Sequence, residues 1–124
     1  MGFDADQGAL ERGFAMAKAE RLPLYMLYLD AANPSTNQGW REQEWQGLRA
    51  RASVDGILAL VFIHHLAIAR NIPLDQLLNW LIDLAHFGVI EFVPKTDPMV
   101  QKLLCFREDI FPNYTEKNFK EYIS

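Results

Sequence analysis

Ile57-Leu58-Ala59-Leu60-Val61-Phe62-Ile63 is an unbroken apolar run. A strand with one wet face alternates apolar and polar residues, whereas a continuous run fits a strand covered on both faces, as in a parallel sheet. The run is therefore predicted to be a buried, central strand. His64-His65-Leu66 follows it directly, which sets two imidazoles at the strand's carboxyl end. A parallel neighbour needs a crossover, and the next segment has the pattern of one. From Pro73 onward Leu74, Leu77, Leu78, Leu81 and Ala85 fall on one helical face, with Pro73 in the first turn and Gly88 as the stop. Val89 to Val93, closed by Pro94, is predicted as the receiving strand.

The same grammar extends in both directions. Leu10, Phe14 and Ala17 share the spacing of a helix face between Asp6 and Arg21, with Asp6 as N-cap. Leu22 to Leu29, rich in leucine and tyrosine and followed by Asp30 and Asn33-Pro34-Ser35, reads as a buried strand ending in a turn. Thr36 to Ser53 is polar and suits a loop leading into a short helix, anchored by Trp40, Trp45 and Leu48. Asp97-Pro98 opens a helix carrying Met99, Leu103 and Phe106, and Thr115 caps a last helix burying Phe119, Tyr122 and Ile123. Strands alternating with helices imply an α/β sandwich, a mainly parallel sheet flanked by helices. No internal repeat or low-complexity tract interrupts it.

Composition narrows the function classes. A chain of 124 residues suits one domain, spanning 1–124, and 50% hydrophobic with 23% charged residues is ordinary globular composition. A net charge of −4 argues against general nucleic-acid binding, which needs clustered Lys and Arg, and favours a small-molecule or protein partner. Cys105 is the single cysteine, so no intrachain disulfide or cysteine metal cage is expected, and a reducing cytoplasm is the natural setting. The run Ile57 to Ile68 contains His64 and His65 and falls short of the roughly 20 residues a membrane span requires. Asp4 and Asp6 stand where a signal peptide would be basic and apolar. No membrane association is expected.

Several segments, in order, carry a family likeness: Phe3-Asp4-Ala5-Asp6, Leu29-Asp30-Ala31-Ala32-Asn33-Pro34-Ser35, Gly39-Trp40, Ile57 through Leu66, Val89 through Lys95, Asp97-Pro98-Met99-Val100 and Arg107 through Pro112. Together they resemble class I S-adenosylmethionine-dependent methyltransferases, in particular a nodulation-related bacterial branch, across nearly the whole chain. The resemblance implies a partial Rossmann-like methyltransferase sandwich with S-adenosylmethionine as cofactor and a small-molecule or protein methyl acceptor. In that family an acidic residue at the end of the second strand accepts hydrogen bonds from the cofactor's ribose hydroxyls, a role that falls to Asp4. Asp30 and Ala31 stand where the family places an acidic residue near the adenine amino group and a backbone amide facing the ring. Leu60 and His64 correspond to the end of the fourth strand, which lines the methionine part of the cofactor.

Each of these residues also has a plain local reading. Asp4 and Asp6 are natural helix caps, and Asp30 is a natural turn starter ahead of Asn33 and Pro34. One histidine is expected to face the pocket and the other to make packing or backbone contacts. Adjacent helical residues point about 100° apart, so His64 and His65 make a poor pair for one metal, and a zinc site including His86 is disfavoured. Glu91 is expected to pair locally and Lys95 to be solvated. No residue is identified as the catalytic base.

A class I methyltransferase begins with a strand and a glycine-rich turn that lets the backbone approach its cofactor. Nothing of that kind precedes Phe3. The expectation is a fragment of a longer enzyme, a different strand order, or a strand supplied by another chain, the last giving an oligomer through an exposed sheet edge. Weak or absent cofactor binding is expected for these residues alone. Two other classes compete. A non-catalytic, truncated domain would act as a binding or assembly subunit. Asp4-Ala5-Asp6 after an aromatic residue also resembles the paired aspartates of haloacid dehalogenase-like phosphatases, but no apolar strand precedes the pair and Gln7-Gly8 departs from the pattern.

Overall fold

A computed structural model describes residues 1–51 and 54–124. The chain divides into two compact units, Met1–Thr36 and Asn37–Ser124. Both are built on a parallel strand pair joined through a helix, which gives a mixed α/β architecture with two two-stranded sheets.

In the first unit β1 (Gly2–Asp4) and β2 (Met26–Tyr28) pair in parallel around α1 (Gln7–Ala19), with Asp4 opposite Tyr28. Asp6 is the N-cap as predicted: its Oδ1 accepts from the amides of Gly8 at 2.7 Å and Ala9 at 3.2 Å. Met26 lies between strand and helix, so that a Cβ on Gly2 would meet its Sδ at 2.8 Å and one on Gly13 its Cε at 2.9 Å. The strand predicted over Leu22 to Leu29 forms only at Met26–Tyr28. Leu22, Leu24 and Tyr25 are exposed in the connection around Pro23, whose missing N–H cannot join a ladder. Leu27, Tyr28 and Phe14 are likewise exposed, so the expected burial of this strand and of the helix face is only partly realised.

The second unit opens with a short bridge between Gln38 and Trp45. Its tryptophans do not anchor it: Trp40 and Trp45 are exposed, and the loop is instead held by the bridge and by Asn37 Oδ1, which accepts from the Gly47 amide at 2.7 Å. A helical turn, α2, covers Leu48–Arg51; the end of the predicted connection, 52–53, lies outside the described residues. Then β3 (Val54–Ala59), α3 (Leu74–Leu84) and β4 (Ala85–Ile90) form the predicted parallel crossover. Leu74, Leu77, Leu78 and Leu81 are buried on α3, as their spacing requires.

Two boundaries and one buried helix face differ from expectation. The strand predicted over Ile57 to Ile63 runs earlier and stops at Ala59, and it is not covered on both faces: Ala59 is buried while Leu58 is 75% exposed. Gly88 does not stop the helix; β4 already begins at Ala85, and Gly88 lies inside it opposite Ile57. There it makes room, since a Cβ would come within 2.8 Å of the Ile57 carbonyl oxygen. On α4 (Pro98–Leu104), capped by Asp97 Oδ1 accepting from the Met99 amide, Val100 is the buried residue and Met99 is exposed; Phe106 beyond it is 97% exposed.

The C-terminal helix α5 (Glu116–Tyr122) follows its Thr115 cap and buries Phe119, while Ile123 stays exposed. Phe92 stacks on Tyr114 at 5.0 Å and tilts against Phe119 at 5.2 Å. The buried Tyr114 hydroxyl donates to the Val93 carbonyl at 2.8 Å, which fastens this helix to the chain leaving β4. No helix among the described residues is long and apolar enough to cross a membrane.

Gly88 and Gly13 should respond oppositely to added bulk. Gly88→Ala presses on backbone and is expected to cost roughly 1–3 kcal/mol. Gly13→Ala meets only the flexible end of Met26 and gains up to about 1 kcal/mol of helix propensity, so it should be neutral or stabilising. Urea unfolding midpoints of the two variants check both signs.

Candidate functional site

Open α/β sheets place their ligand sites at the carboxyl ends of strands. In the first unit that edge carries two carboxylates. β1 ends at Asp4, whose carbonyl accepts from the Leu29 amide at 3.0 Å, and the next residue along β2's exit is Asp30. Both acids therefore leave the same edge of one strand pair. Each also does local work: Asp4 Oδ1 accepts from the Asp6 amide at 2.9 Å, and Asp30 Oδ1 from the Ala32 amide at 3.0 Å. Asp30 starts the turn that carries Ala31, with the Asn33 amide donating to its carbonyl at 3.0 Å. Asp4 is exposed, while Asp30 and Ala31 are half-buried.

The corresponding edge of the second unit carries Leu60, Val61, His64 and Glu91. β3 ends with the Glu91 amide donating to the Ala59 carbonyl at 3.0 Å. Glu91 then reaches across: its Oε2 accepts from the Val61 amide at 2.7 Å. Val61 has φ +53°, a left-handed conformation that is costly for a β-branched residue. The carboxylate thus pins a strained turn, which presents Leu60 to solvent and sends Ile63 and His64 inward.

His64 is fully buried, and neither Nδ1 nor Nε2 has a hydrogen-bond partner among the described residues. His65 is exposed, its ring 4.2 Å from that of His64, and it opens a π-helical turn, His65–Ala69. Of the two histidines, His64 lies inside and His65 outside, and neither lines the hollow described below. Burial, reinforced by the charge of His65, lowers the pKa of His64 below 6.5 against the opposing pull of Asp97 and Glu91. The π turn is held at its far end by Arg107, which donates to the Ile68 carbonyl and to Asn71 Oδ1, both at 2.7 Å.

Lys95 is not solvated as expected. It donates to both oxygens of Asp109, at 2.9 and 2.8 Å, and to the Phe111 carbonyl at 2.7 Å. The Lys95 hydrogen bond holds the Asp109 carboxyl below the usual carboxylate range. The contacts of Glu91, Lys95 and Arg107 span sequence separations of 30, 14 and 39 residues, and no local pattern announces them.

An open hollow of about 650 Å³ lies elsewhere, lined by Arg49, Gln76, Asn79, Trp80, Asp83 and Leu84. Leu84 immediately precedes β4, so this hollow belongs to the amino edge of the pair, opposite the carboxylate-bearing edge. No group of three His, Cys, Asp or Glu residues that could hold a metal ion occurs among the described residues.

The chain is 48% identical over all its 124 residues to the nodulation protein NoeA of Rhizobium meliloti (strain 1021), and it covers 26% of that protein's length. No family model matches the chain, and no solved structure does.

The state of His64 makes a signed prediction. Its folded pKa lies below the unfolded value, so the unfolded chain binds more protons in acid. Stability conferred by the neutral imidazole is present above pH 6.5 and is lost as pH falls from there toward the folded pKa. Urea midpoints should therefore fall between pH 7.5 and pH 5.5. His64→Phe, which removes an unsatisfied buried polar group, should flatten that dependence without lowering stability at pH 7.5.

Proposed function

We propose that this chain is part of a class I S-adenosylmethionine-dependent methyltransferase, with the carboxyl edge of the first parallel pair turned toward the cofactor. The observation that carries the reading is the pairing of Asp4 and Asp30 on one carboxyl edge. Two strand–helix–strand repeats with parallel pairing also fit a Rossmann-like sheet. The family's strand order sets a further strand between these two pairs, and here the pairs are separate two-stranded sheets. A protein of which these residues form about a quarter, as they do of the nodulation relative, has ample chain to supply one.

The residues fit the cofactor unevenly. Asp4 is exposed and commits one oxygen to Asp6, which leaves lone pairs suited to two ribose hydroxyls. Asp30, with Ala31 beside it, suits the adenine amino group and ring. Leu60 offers an exposed apolar surface to the methionine part. His64, buried and without a hydrogen-bond partner among the described residues, fits as a polar group whose partner arrives with the complete site, not as a surface contact. The cofactor, when bound, supplies an electrophilic methyl group on sulfonium. Asp4 and Asp30 would hold the donor in place, and in-line positioning of an acceptor accounts for much of the catalysis in such transfers. The acceptor is a small molecule or a protein.

A second reading, a non-catalytic assembly subunit, draws on the exposed apolar residues of both units. Calorimetric titration with S-adenosylmethionine separates the two. The 124 residues alone should bind weakly or not at all. A polypeptide of the nodulation-protein length carrying this sequence in the matching region should bind. Asp4→Asn in it should weaken binding roughly 10- to 100-fold, from about 1.5–3 kcal/mol per hydrogen bond to a charged group. A folded long polypeptide that does not bind favours the assembly reading; tight binding by the 124 residues alone contradicts the incomplete-site account.

A further inference from the structure

The open hollow of the second unit is lined by side chains that the folding of that unit does not use. On α3, Leu74, Leu77, Leu78 and Leu81 are buried. Gln76, Asn79, Trp80 and Asp83 recur at helical spacing on the opposite side of the helix and line the hollow, which Arg49 of α2 bounds from outside α3. A helix face that only meets water needs no indole, yet Trp80 stands half-buried in this stripe, between carboxamides and a carboxylate. Arg49, Gln76, Asn79, Trp80 and Asp83 make no side-chain hydrogen bond or ion pair among the described residues. Glu91, Lys95, Arg107 and Asp109 of the same unit are, by contrast, all engaged with the chain. The hollow measures about 650 Å³, the size of a small-molecule site, and such sites set an apolar wall against a few convergent polar groups.

We infer that this hollow is a binding site for a neutral saccharide, with Trp80 as the wall for a sugar's C–H face and Arg49, Gln76, Asn79 and Asp83 as partners for its hydroxyls. Charge sets the class. The one guanidinium and the one carboxylate cancel, so an anion such as phosphate would meet Asp83 and a cation would meet Arg49. A small zwitterion would engage the two charges and leave the indole bare. The hydrogen-bonding inventory narrows the class further. Arg49 and the indole only donate, Asp83 only accepts, and the two carboxamides do both. A hydroxyl donates and accepts at once, so a ligand carrying several of them satisfies all five side chains. A pyranose adds an apolar ring face to lie against the indole, whose body is apolar and whose N–H remains free to donate. The hollow stands at the amino edge of β3 and β4, so the inference does not rest on the methyltransferase reading, which concerns the carboxyl edge of the first pair.

The test is nuclear magnetic resonance titration of the isotope-labelled chain with maltose, cellobiose and lactose, each to tens of millimolar. The chain has three tryptophans, so the indole N–H of Trp80 is read apart from those of Trp40 and Trp45. At least one of these sugars should shift the Trp80 indole signal and the carboxamide signals of Gln76 and Asn79 saturably, while sodium phosphate and glycine at the same concentration should not. Asp83→Ala, at an exposed position without an internal partner, should keep the spectrum of the folded chain. It should weaken sugar binding roughly tenfold, the loss of a hydrogen bond to a charged group. Trp40→Ala should leave binding unchanged. Absence of a saturable Trp80 shift with all three sugars overturns the inference. So does a response to phosphate or glycine without one to sugar, because the ligand class is then wrong. Shifts confined to Trp40 and Trp45, or undiminished binding by Asp83→Ala, overturn the assignment to this hollow. S-adenosylmethionine is absent throughout, so failure here is distinct from failure of the methyltransferase reading.

Discussion

Parallel strands cannot be joined by a tight turn, and their pairing forces a crossover helix onto one face and demands cover for the other. That constraint organises both halves of this chain. It fixes α1 over β1 and β2, and α3 over β3 and β4, and it brings the carboxyl ends of each pair to a common edge. Asp4 and Asp30 share one such edge because of it, and Leu60 and His64 leave the other.

At the second edge the structure spends local strain on placement. Val61 in a left-handed conformation turns the chain sharply enough to bury His64 one turn later, and Glu91 from the neighbouring strand's exit holds that turn by its amide. Arg107 holds the following π turn from a distant loop. A buried imidazole with no hydrogen-bond partner among the described residues, lying between two turns held by long-range contacts, is a costly arrangement that packing alone does not require. Such features cluster where a ligand or partner completes the environment.

Much of the architecture was legible in the residues because it rests on local chemistry. The Asp6, Asp97 and Thr115 caps and the leucine face of α3 follow from spacing and side-chain type. What was not legible depends on contacts far apart in sequence. The run Ile57 to Ile63 reads as a strand buried on both sides, yet Leu58 is bare, since hydrophobicity states what a residue needs and not what packs against it. Gly88 reads as a helix stop because the close approach of Ile57 cannot be seen locally. Lys95 reads as solvated because Asp109 lies beyond α4. Of the candidate site, the placement of Asp30 just past a strand followed from the pattern, whereas Asp4 at a strand end rested on the family resemblance and Leu60, expected inside a strand, lies just past its end. The burial of His64 and the Glu91 clamp did not.

The central claim is that the carboxyl edge bearing Asp4 and Asp30 embraces an adenosyl group. A crystal structure of the long polypeptide containing these residues, grown with S-adenosylhomocysteine, tests it directly. The account predicts the ribose hydroxyls within hydrogen-bonding distance of the Asp4 carboxylate and the adenine beside Asp30 and Ala31. A nucleoside bound elsewhere, with both carboxylates engaged only in their present turns, would contradict it.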